Sequence, residues 1–172
     1  MSFSDLTVWT IGHSNHPLAR LVKLLQTHHI QVVADVRSRP YSRFAPQFNR
    51  QPLARALPVH GIRYLFMGRE LGGKPEEPIY YLPDGSLDPE RFTARPEFQR
   101  GLKRLLAEAT HSRVSLMCSE GDPLKCHRTM VLAPELAKRG VKVLHILPDG
   151  SLLEHREEAL PGMRKPRQMK LF

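Results

Sequence analysis

Short apolar runs alternate with helical patterns along most of the chain. Five runs rich in β-branched or other apolar residues are typical of buried strands, and they lie at residues 6–11, 30–36, 62–67, 113–118 and 141–147. Hydrophobic spacing predicts helices at 17–29, 96–109 and 126–139, the last ending before Gly140. The alternation predicts an α/β domain with three α/β/α layers and a Rossmann-like, mostly parallel sheet of about five strands.

Two polar segments interrupt this pattern, and we expect both to be long loops. They are residues 37–51 and the glycine- and proline-rich residues 68–89. In an open parallel sheet, ligands bind beyond the carboxyl ends of the strands. The stretches that follow the first four predicted strands are therefore expected to share one site, and they read "GHSNHP", "DVRSRPYSRF", "GRELGG" and "CSEGDPLKCHR".

The length of 172 residues suits one domain, which we place at residues 1–160, followed by a basic tail at 161–172. No apolar run approaches the roughly 20 residues that span a bilayer. The first residues also lack the basic and apolar regions of a secretory signal. We therefore expect a cytoplasmic protein without a membrane partner.

Charge adds a partner class to this picture. The chain has 26 basic and 17 acidic residues, a net charge of +9. No acid and no lysine lies between Asp35 and Glu70, whereas seven arginines do: Arg37, Arg39, Arg43, Arg50, Arg55, Arg63 and Arg69. Because guanidinium groups pair with phosphate through two hydrogen bonds, this segment predicts a nucleic-acid or nucleotide partner. The alternative is a basic surface that only aids solubility.

Aromatic residues lie among the arginines of residues 37–51. Phosphate neutralisation by arginine together with base stacking on rings is typical of nucleotide or single-strand recognition. The candidate binding residues here are Arg37, Arg39, Tyr41, Ser42, Arg43 and Phe44. In the alternative interpretation, Tyr41, Phe44 and Phe48 fill the core beneath the loop. Asp35 would serve either as a general base or to orient an arginine.

The segment after the first strand supplies two further candidates. His13 can act as an acid, as a base or as a hydrogen-bond donor to phosphate near neutral pH. Ser14 can bind phosphate, and its alternative role is in capping the helix that follows.

The stretch "CSEGDPLKCHR" contains both cysteines of the chain and permits three interpretations. A phosphatase loop would need arginine six positions after Cys118, where the chain has Leu124 instead. A zinc site could use Cys118, Cys126 and His127 with a fourth ligand. The third interpretation, which we favour, is a helix starting near Asp122 or Pro123 that binds an anion together with Arg128. The catalytic candidates in this stretch are Cys118, Glu120, Cys126 and His127.

The standard glycine-rich motifs for dinucleotides and for nucleotide phosphates are both missing from the sequence. We therefore predict no cofactor, with zinc as the alternative. In the basic tail, Gln168, Leu171 and Phe172 resemble the short peptide by which many bacterial replication and repair proteins dock on the sliding clamp. The other interpretation is that the tail packs on its own domain.

Together, "TIGHS", "ADVRSRPYSRF", "LGG" and "MCSEGDPLKCHR" resemble the prokaryotic family called domain of unknown function 488. The resemblance implies a compact α/β domain with an arginine-rich active site, and it implies no particular reaction. The positions that carry it are Gly12, His13, Ser14, Asp35, Arg37, Pro40, Ser42, Phe44, Gly72, Gly73, Cys118, Glu120, Cys126, His127 and Arg128.

Three functional hypotheses remain at this stage. The first is an enzyme that hydrolyses a phosphoester or N-glycosidic bond in a nucleotide or nucleic acid, with acid/base steps by His13, Asp35 or Glu120. The second is a non-catalytic nucleic-acid-binding or repair-accessory module that docks through its tail. The third is a zinc-binding protein.

Overall fold

A computed structural model describes residues 3–126 and 131–156 of the chain. Its strands are β1 (Thr7–Gly12), β2 (Val32–Asp35), β3 (Arg63–Phe66), β4 (Val114–Cys118), β5 (Lys142–Ile146) and β6 (Leu152–Glu154). Its helices are α1 (Leu18–Thr27), α2 (Arg50–Val59), α3 (Gly68–Leu71), α4 (Pro89–Thr93), α5 (Pro96–Ala109) and α6 (Ala133–Lys138). No helix in this described part of the chain has the length and apolarity needed to cross a membrane.

The six strands form one sheet in the order β3-β2-β4-β1-β5-β6. The first five strands are parallel, and β6 is antiparallel to β5. The mostly parallel sheet is therefore confirmed, and all five predicted strands are present. The sixth strand was not predicted because three residues are too few to form a recognisable hydrophobic pattern.

Two apolar cores cover the two faces of the sheet. One contains Leu21 and Leu25 of α1 together with Leu53 of α2. The other contains Phe98 of α5 and Leu136 of α6. Helices thus lie on both faces, which confirms the three-layer architecture.

The helices agree less well with the sequence pattern than the strands do. The predictions for α1 and α5 hold, but α2 begins at the end of a segment expected to be a loop. The helix expected from residue 126 is wrong at its start. Pro123–Lys125 form a single 3₁₀ turn and Cys126 has extended backbone, so no helix begins at Cys126; Val131 and Leu132 have π-helical backbone that leads into α6 at Ala133. Gly140 follows α6 with a φ of 83°, a conformation that glycine adopts readily.

The direction in which the chain leaves each strand creates a crevice. After β1 and β2 it passes to the face covered by α1 and α2, whereas after β4 it passes to the face covered by α6. Because β4 lies between β2 and β1, neighbouring exit segments diverge at the carboxyl edge. Ligands of open α/β sheets bind at such a switch point.

Candidate functional site

A pocket of about 360 Å³ lies at this crevice, where the segments after β2, α3 and β4 converge. Its walls are formed by Arg37, Ser38, Arg39, Gly73, Lys74, Cys118, Ser119, Glu120, Lys125 and Cys126. A second pocket of about 440 Å³ shares Ser38, Arg39 and Lys74 with the first. The two pockets therefore form adjoining spaces around one set of side chains, as the shared strand edge predicts.

Four residues beside the pocket form a unit that we call the anchor cluster: Asp35, Arg37 and Phe48, which are buried, and Tyr64, which is half-buried. The Arg37 guanidinium donates from Nε to Asp35 Oδ1 at 2.9 Å and from Nη2 to Asp35 Oδ2 at 2.8 Å. Nη2 also donates to the carbonyl oxygen of Phe48 at 2.7 Å. Arg37 therefore holds the loop to the end of β2, and part of Arg37 also reaches the pocket wall.

The Tyr64 hydroxyl donates to Asp35 Oδ2, so both carboxylate oxygens of Asp35 accept hydrogen bonds. Burial, followed by the nearby negative charge of Asp35, raises the pKa of Tyr64 far above its usual value and keeps the phenol protonated. Asp35 itself is fully buried. Of the two roles considered for Asp35, this geometry favours orienting Arg37 over acting as a general base.

The other half of the same loop is exposed, and we call residues 41–44 the tip. Tyr41 is 77% exposed and Phe44 is 82% exposed. The Arg43 guanidinium carbon lies 5.4 Å from the centre of the Phe44 ring. Ser42 shapes the tip, because its Oγ accepts from the Phe44 backbone N–H and its own N–H donates to Asn49 Oδ1. Core packing therefore accounts for Phe48 but not for the two rings of the tip.

The seven arginines between Asp35 and Glu70 do not act as one surface. Arg50 stacks over the Phe66 ring at 4.1 Å, and Arg63 forms an ion pair with Glu108 at 2.7 Å. Arg39 is exposed and lines both pockets. Two lysines, Lys74 and Lys125, join it in the wall. Within residues 3–126 and 131–156, none of these three cations forms an ion pair.

Two glycines of the predicted motifs allow the pocket walls to approach each other. A side chain at Gly12 would collide with the carbonyl group of Glu120. A side chain at Gly72 would collide with Ser38. Beside this contact, Ser38 Oγ accepts from the Lys74 backbone N–H at 2.9 Å, which fixes the segment that carries the lysine.

His13 and Ser14 join β1 to the exit of β4. The His13 N–H donates to the Cys118 carbonyl and the Ser14 N–H to the Ser119 carbonyl. The His13 ring is buried, stacks on Phe48 at 4.7 Å and bonds through Nδ1 to the Ser14 carbonyl. Burial lowers the pKa of His13 below its usual value of 6.5, so the ring is neutral near neutral pH. Neither residue is part of the pocket wall itself.

The two cysteines lie side by side in the pocket wall, Cys118 at the end of β4 and Cys126 after the 3₁₀ turn. Asp122 Oδ1 accepts from the Leu124 N–H and so caps that turn. The helix expected to start near Asp122 or Pro123 is not found there, because Pro123–Lys125 form a single 3₁₀ turn and Cys126 has extended backbone. His127 and Arg128 lie outside the described residues, as do Gln168, Leu171 and Phe172.

Among residues 3–126 and 131–156, no three potential metal ligands form a group. Since His127 lies outside these ranges, the zinc interpretation of Cys118, Cys126 and His127 stays a prediction. Glu120 is exposed and is the carboxylate of the pocket wall.

Sequence reasoning missed several residues of this region. Lys74 and Lys125 carry charge into the pocket. Lys74 directly follows the stretch "GRELGG", and Lys125 lies within "CSEGDPLKCHR". Their signal was position, since Lys74 directly follows the two glycines. Tyr64 gave no such signal, because a tyrosine within an apolar strand reads as core.

The model of one protein family, described as Domain of unknown function DUF488, matches residues 17–133 of the chain. No curated protein and no solved structure matches the chain significantly.

Proposed function

The chain belongs to the family described as Domain of unknown function DUF488, and from the geometry of its site we propose that it is an enzyme that processes a nucleotide or nucleic acid. In this proposal, the pocket between the exits of β2 and β4 holds a phosphate of the substrate. The reaction is hydrolysis of a phosphoester or N-glycosidic bond. The observation that carries the proposal is the set of three exposed cations in the pocket wall, together with the two exposed rings of the tip, which follows Arg39 in the chain.

The charges of the wall favour an anion. Arg37 is already neutralised by Asp35, which leaves Arg39, Lys74 and Lys125 against the carboxylate of Glu120 in this wall, while Glu76 and Glu77 line the adjoining pocket. An excess of positive charge in a concave site attracts phosphate and raises its local concentration. Because the cations come from three separate loops, they can surround one phosphate group.

The rings of the tip favour a base. Tyr41 and Phe44 expose two large rings within one four-residue segment, and apolar groups exposed together on a surface often mark an interaction site. Base stacking on an aromatic side chain contributes about 1–3 kcal/mol per base. Arg43 over the Phe44 ring adds a charge that can follow the phosphate backbone of a single strand.

Glu120 is the acid/base residue of this proposal. It lies in the pocket wall, where a carboxylate can activate a water molecule or protonate a leaving group. His13 is buried away from the wall and is held by the Ser14 carbonyl, so it supports the β1 exit. The cations would stabilise the negative charge that develops on the phosphate.

Binding is tested by the fluorescence anisotropy of labelled single-stranded DNA, duplex DNA and single-stranded RNA across a salt series. The test variant replaces Arg39, Arg43 and Lys74 with alanine. The control replaces Lys23, Lys103 and Lys142 with alanine, which removes the same charge from exposed positions outside the pocket. The slope of log K against log salt should shrink by about 2–3 in the test variant and stay close to wild type in the control.

Turnover is tested with Glu120→Gln on the ligand that binds best. We expect wild-type affinity together with loss of hydrolysis, measured as product formed per enzyme. Binding without turnover in the wild type would favour the non-catalytic module instead. If wild type binds no polynucleotide even at low salt, or if test and control variants lose affinity equally, the nucleic-acid proposal is wrong.

A further inference from the structure

The two cysteines form a pair that the proposed hydrolysis does not use. Cys126 Sγ lies 2.6 Å from Cys118 Sγ, so the sulfur atoms are in direct contact. The chain contains no other cysteine. Both side chains are buried, with Cys118 3% and Cys126 7% exposed, yet both contribute to the pocket wall. Two thiols in contact beside a solvent-filled space meet the first requirement of a reversible disulfide.

Local backbone structure brings the two cysteines together. Cys118 ends the central strand β4, and its carbonyl accepts from the His13 N–H at 2.9 Å. Cys126 lies eight positions later, and the 3₁₀ turn at Pro123–Lys125 returns the chain to the strand end. The capping hydrogen bond of Asp122 fixes this turn. The cysteines are therefore brought together by local structure that does not depend on a bond between them.

The surroundings of the pair favour the reactive form of a thiol. The thiolate is the nucleophile, and nearby cations stabilise it. Arg39, Lys74 and Lys125 line the same pocket as the two sulfur atoms. Cys126 directly follows Lys125 in the chain, and it is the more exposed of the two cysteines. Cys126 is thus the better placed to attack an oxidant, and Cys118 is placed to form the disulfide with it afterwards.

We propose that Cys126 and Cys118 are the attacking and resolving thiols of a redox site that is oxidised by hydroperoxides. The Cys126 thiolate attacks the terminal oxygen of the peroxide, whose O–O bond breaks and releases hydroxide, or alkoxide from an organic peroxide. The resulting sulfenic acid on Cys126 is attacked by Cys118, which forms the S–S bond and releases water. Two thiols thus lose two electrons and two protons, and the peroxide is reduced. This site does not depend on the proposed nucleic-acid activity.

The test uses the full-length protein, reduced with dithiothreitol, freed of reductant and treated with one equivalent of hydrogen peroxide. Intact mass and alkylation by a maleimide report the state of the two thiols. We expect a monomer lighter by two hydrogen atoms, with both thiols protected from alkylation. Dithiothreitol should restore both thiols under native conditions.

Single variants test the roles of the two thiols. Cys118→Ser should leave a sulfenic acid on Cys126 that is trapped by dimedone. Cys126→Ser should react with hydrogen peroxide at no more than about one tenth of the wild-type rate, because the better nucleophile is gone. Circular dichroism checks that each variant is folded, and Cys118→Ala and Cys126→Ala replace any variant that is not.

Four results would overturn the proposal. They are thiols that stay fully alkylatable after peroxide, a dimer linked between chains, oxidation past the sulfenic acid while the second thiol stays reduced, and a disulfide that dithiothreitol reduces only after unfolding. The last result would identify a structural bond instead of a redox site.

Discussion

The loop that follows β2 has two halves built from the same types of residue. In the anchor cluster, Arg37 is 7% exposed and Phe48 is fully buried. In the tip, Tyr41 and Phe44 are more than three-quarters exposed. The anchor uses a guanidinium and a ring to hold the loop, whereas the tip leaves the same groups available to a ligand. Hydrogen-bond partners and burial, not residue type, separate a structural arginine from an exposed one.

The largest expected effect is the loss of the anchor's ion pair. Arg37→Ala would leave the buried carboxylate of Asp35 without its guanidinium, which costs about 3–5 kcal/mol in the free energy of unfolding. Urea unfolding followed by circular dichroism measures this. The matched control is Arg63→Ala, since Arg63 pairs with Glu108 while 57% exposed and should lose no more than about 1 kcal/mol. Similar losses in the two variants would remove the distinction between anchor and surface.

A smaller effect is expected from one hydroxyl group. Tyr64→Phe removes the donor to Asp35 Oδ2, and a hydrogen bond to a charged group contributes about 1.5–3 kcal/mol. Tyr41→Phe removes the hydroxyl from an exposed tip residue, and the free energy of unfolding should stay within about 0.5 kcal/mol of wild type. The same urea experiment tests both variants. A Tyr64→Phe variant as stable as wild type would show that the phenol does not support the anchor.

The smallest effect concerns His13, which stacks on Phe48 of the anchor. Burial lowers its pKa below 6.5, so as the pH falls below 6.5 the unfolded chain takes up a proton before the folded chain does. The folded state therefore loses stability on acidification because of this histidine. His13→Gln removes that loss, so the free energy of unfolding should fall less steeply with acid than in wild type. His60→Gln, at an exposed position, is the control. Parallel curves for His13→Gln and wild type would contradict the assignment.

The strands were predictable because their physical cause lies within the strands themselves. Strands of a parallel sheet are covered on both faces and so appear as nearly continuous apolar runs, as in Val32–Asp35 and Val114–Cys118. The helix α2 was harder to predict, since arginine, glutamine and two prolines obscure its apolar face at Leu53 and Leu57. The turn at Pro123–Lys125 was mistaken for a helix start because proline favours both.

The candidate site was predictable in position but not in detail. The edge of the sheet follows from topology, and residues of the segments after β2, α3 and β4 line one pocket there, whereas His13 and Ser14 are not part of its wall. Which arginine is buried depends on contacts between distant segments. Asp35 accepts a hydrogen bond from Tyr64, which is twenty-nine positions away, and no local pattern indicates that contact. Likewise, no local pattern indicates that Phe48 is buried while Tyr41 and Phe44 are exposed.

The order of strands in the sheet has a consequence for synthesis on the ribosome. β1 is the first strand made, yet its two neighbours are β4 and β5, so Trp9 must wait for Ser115 and Leu144 to emerge. Until then the apolar strand has no partner, while β2 and β3 can already pair. Long-range pairing of this kind is slow and leaves apolar segments exposed. A nascent chain arrested before β4 should therefore be cut by protease near Trp9, whereas one arrested after β5 has left the exit tunnel should resist. The pocket itself cannot form before the chain has been made as far as Cys126, which completes its wall.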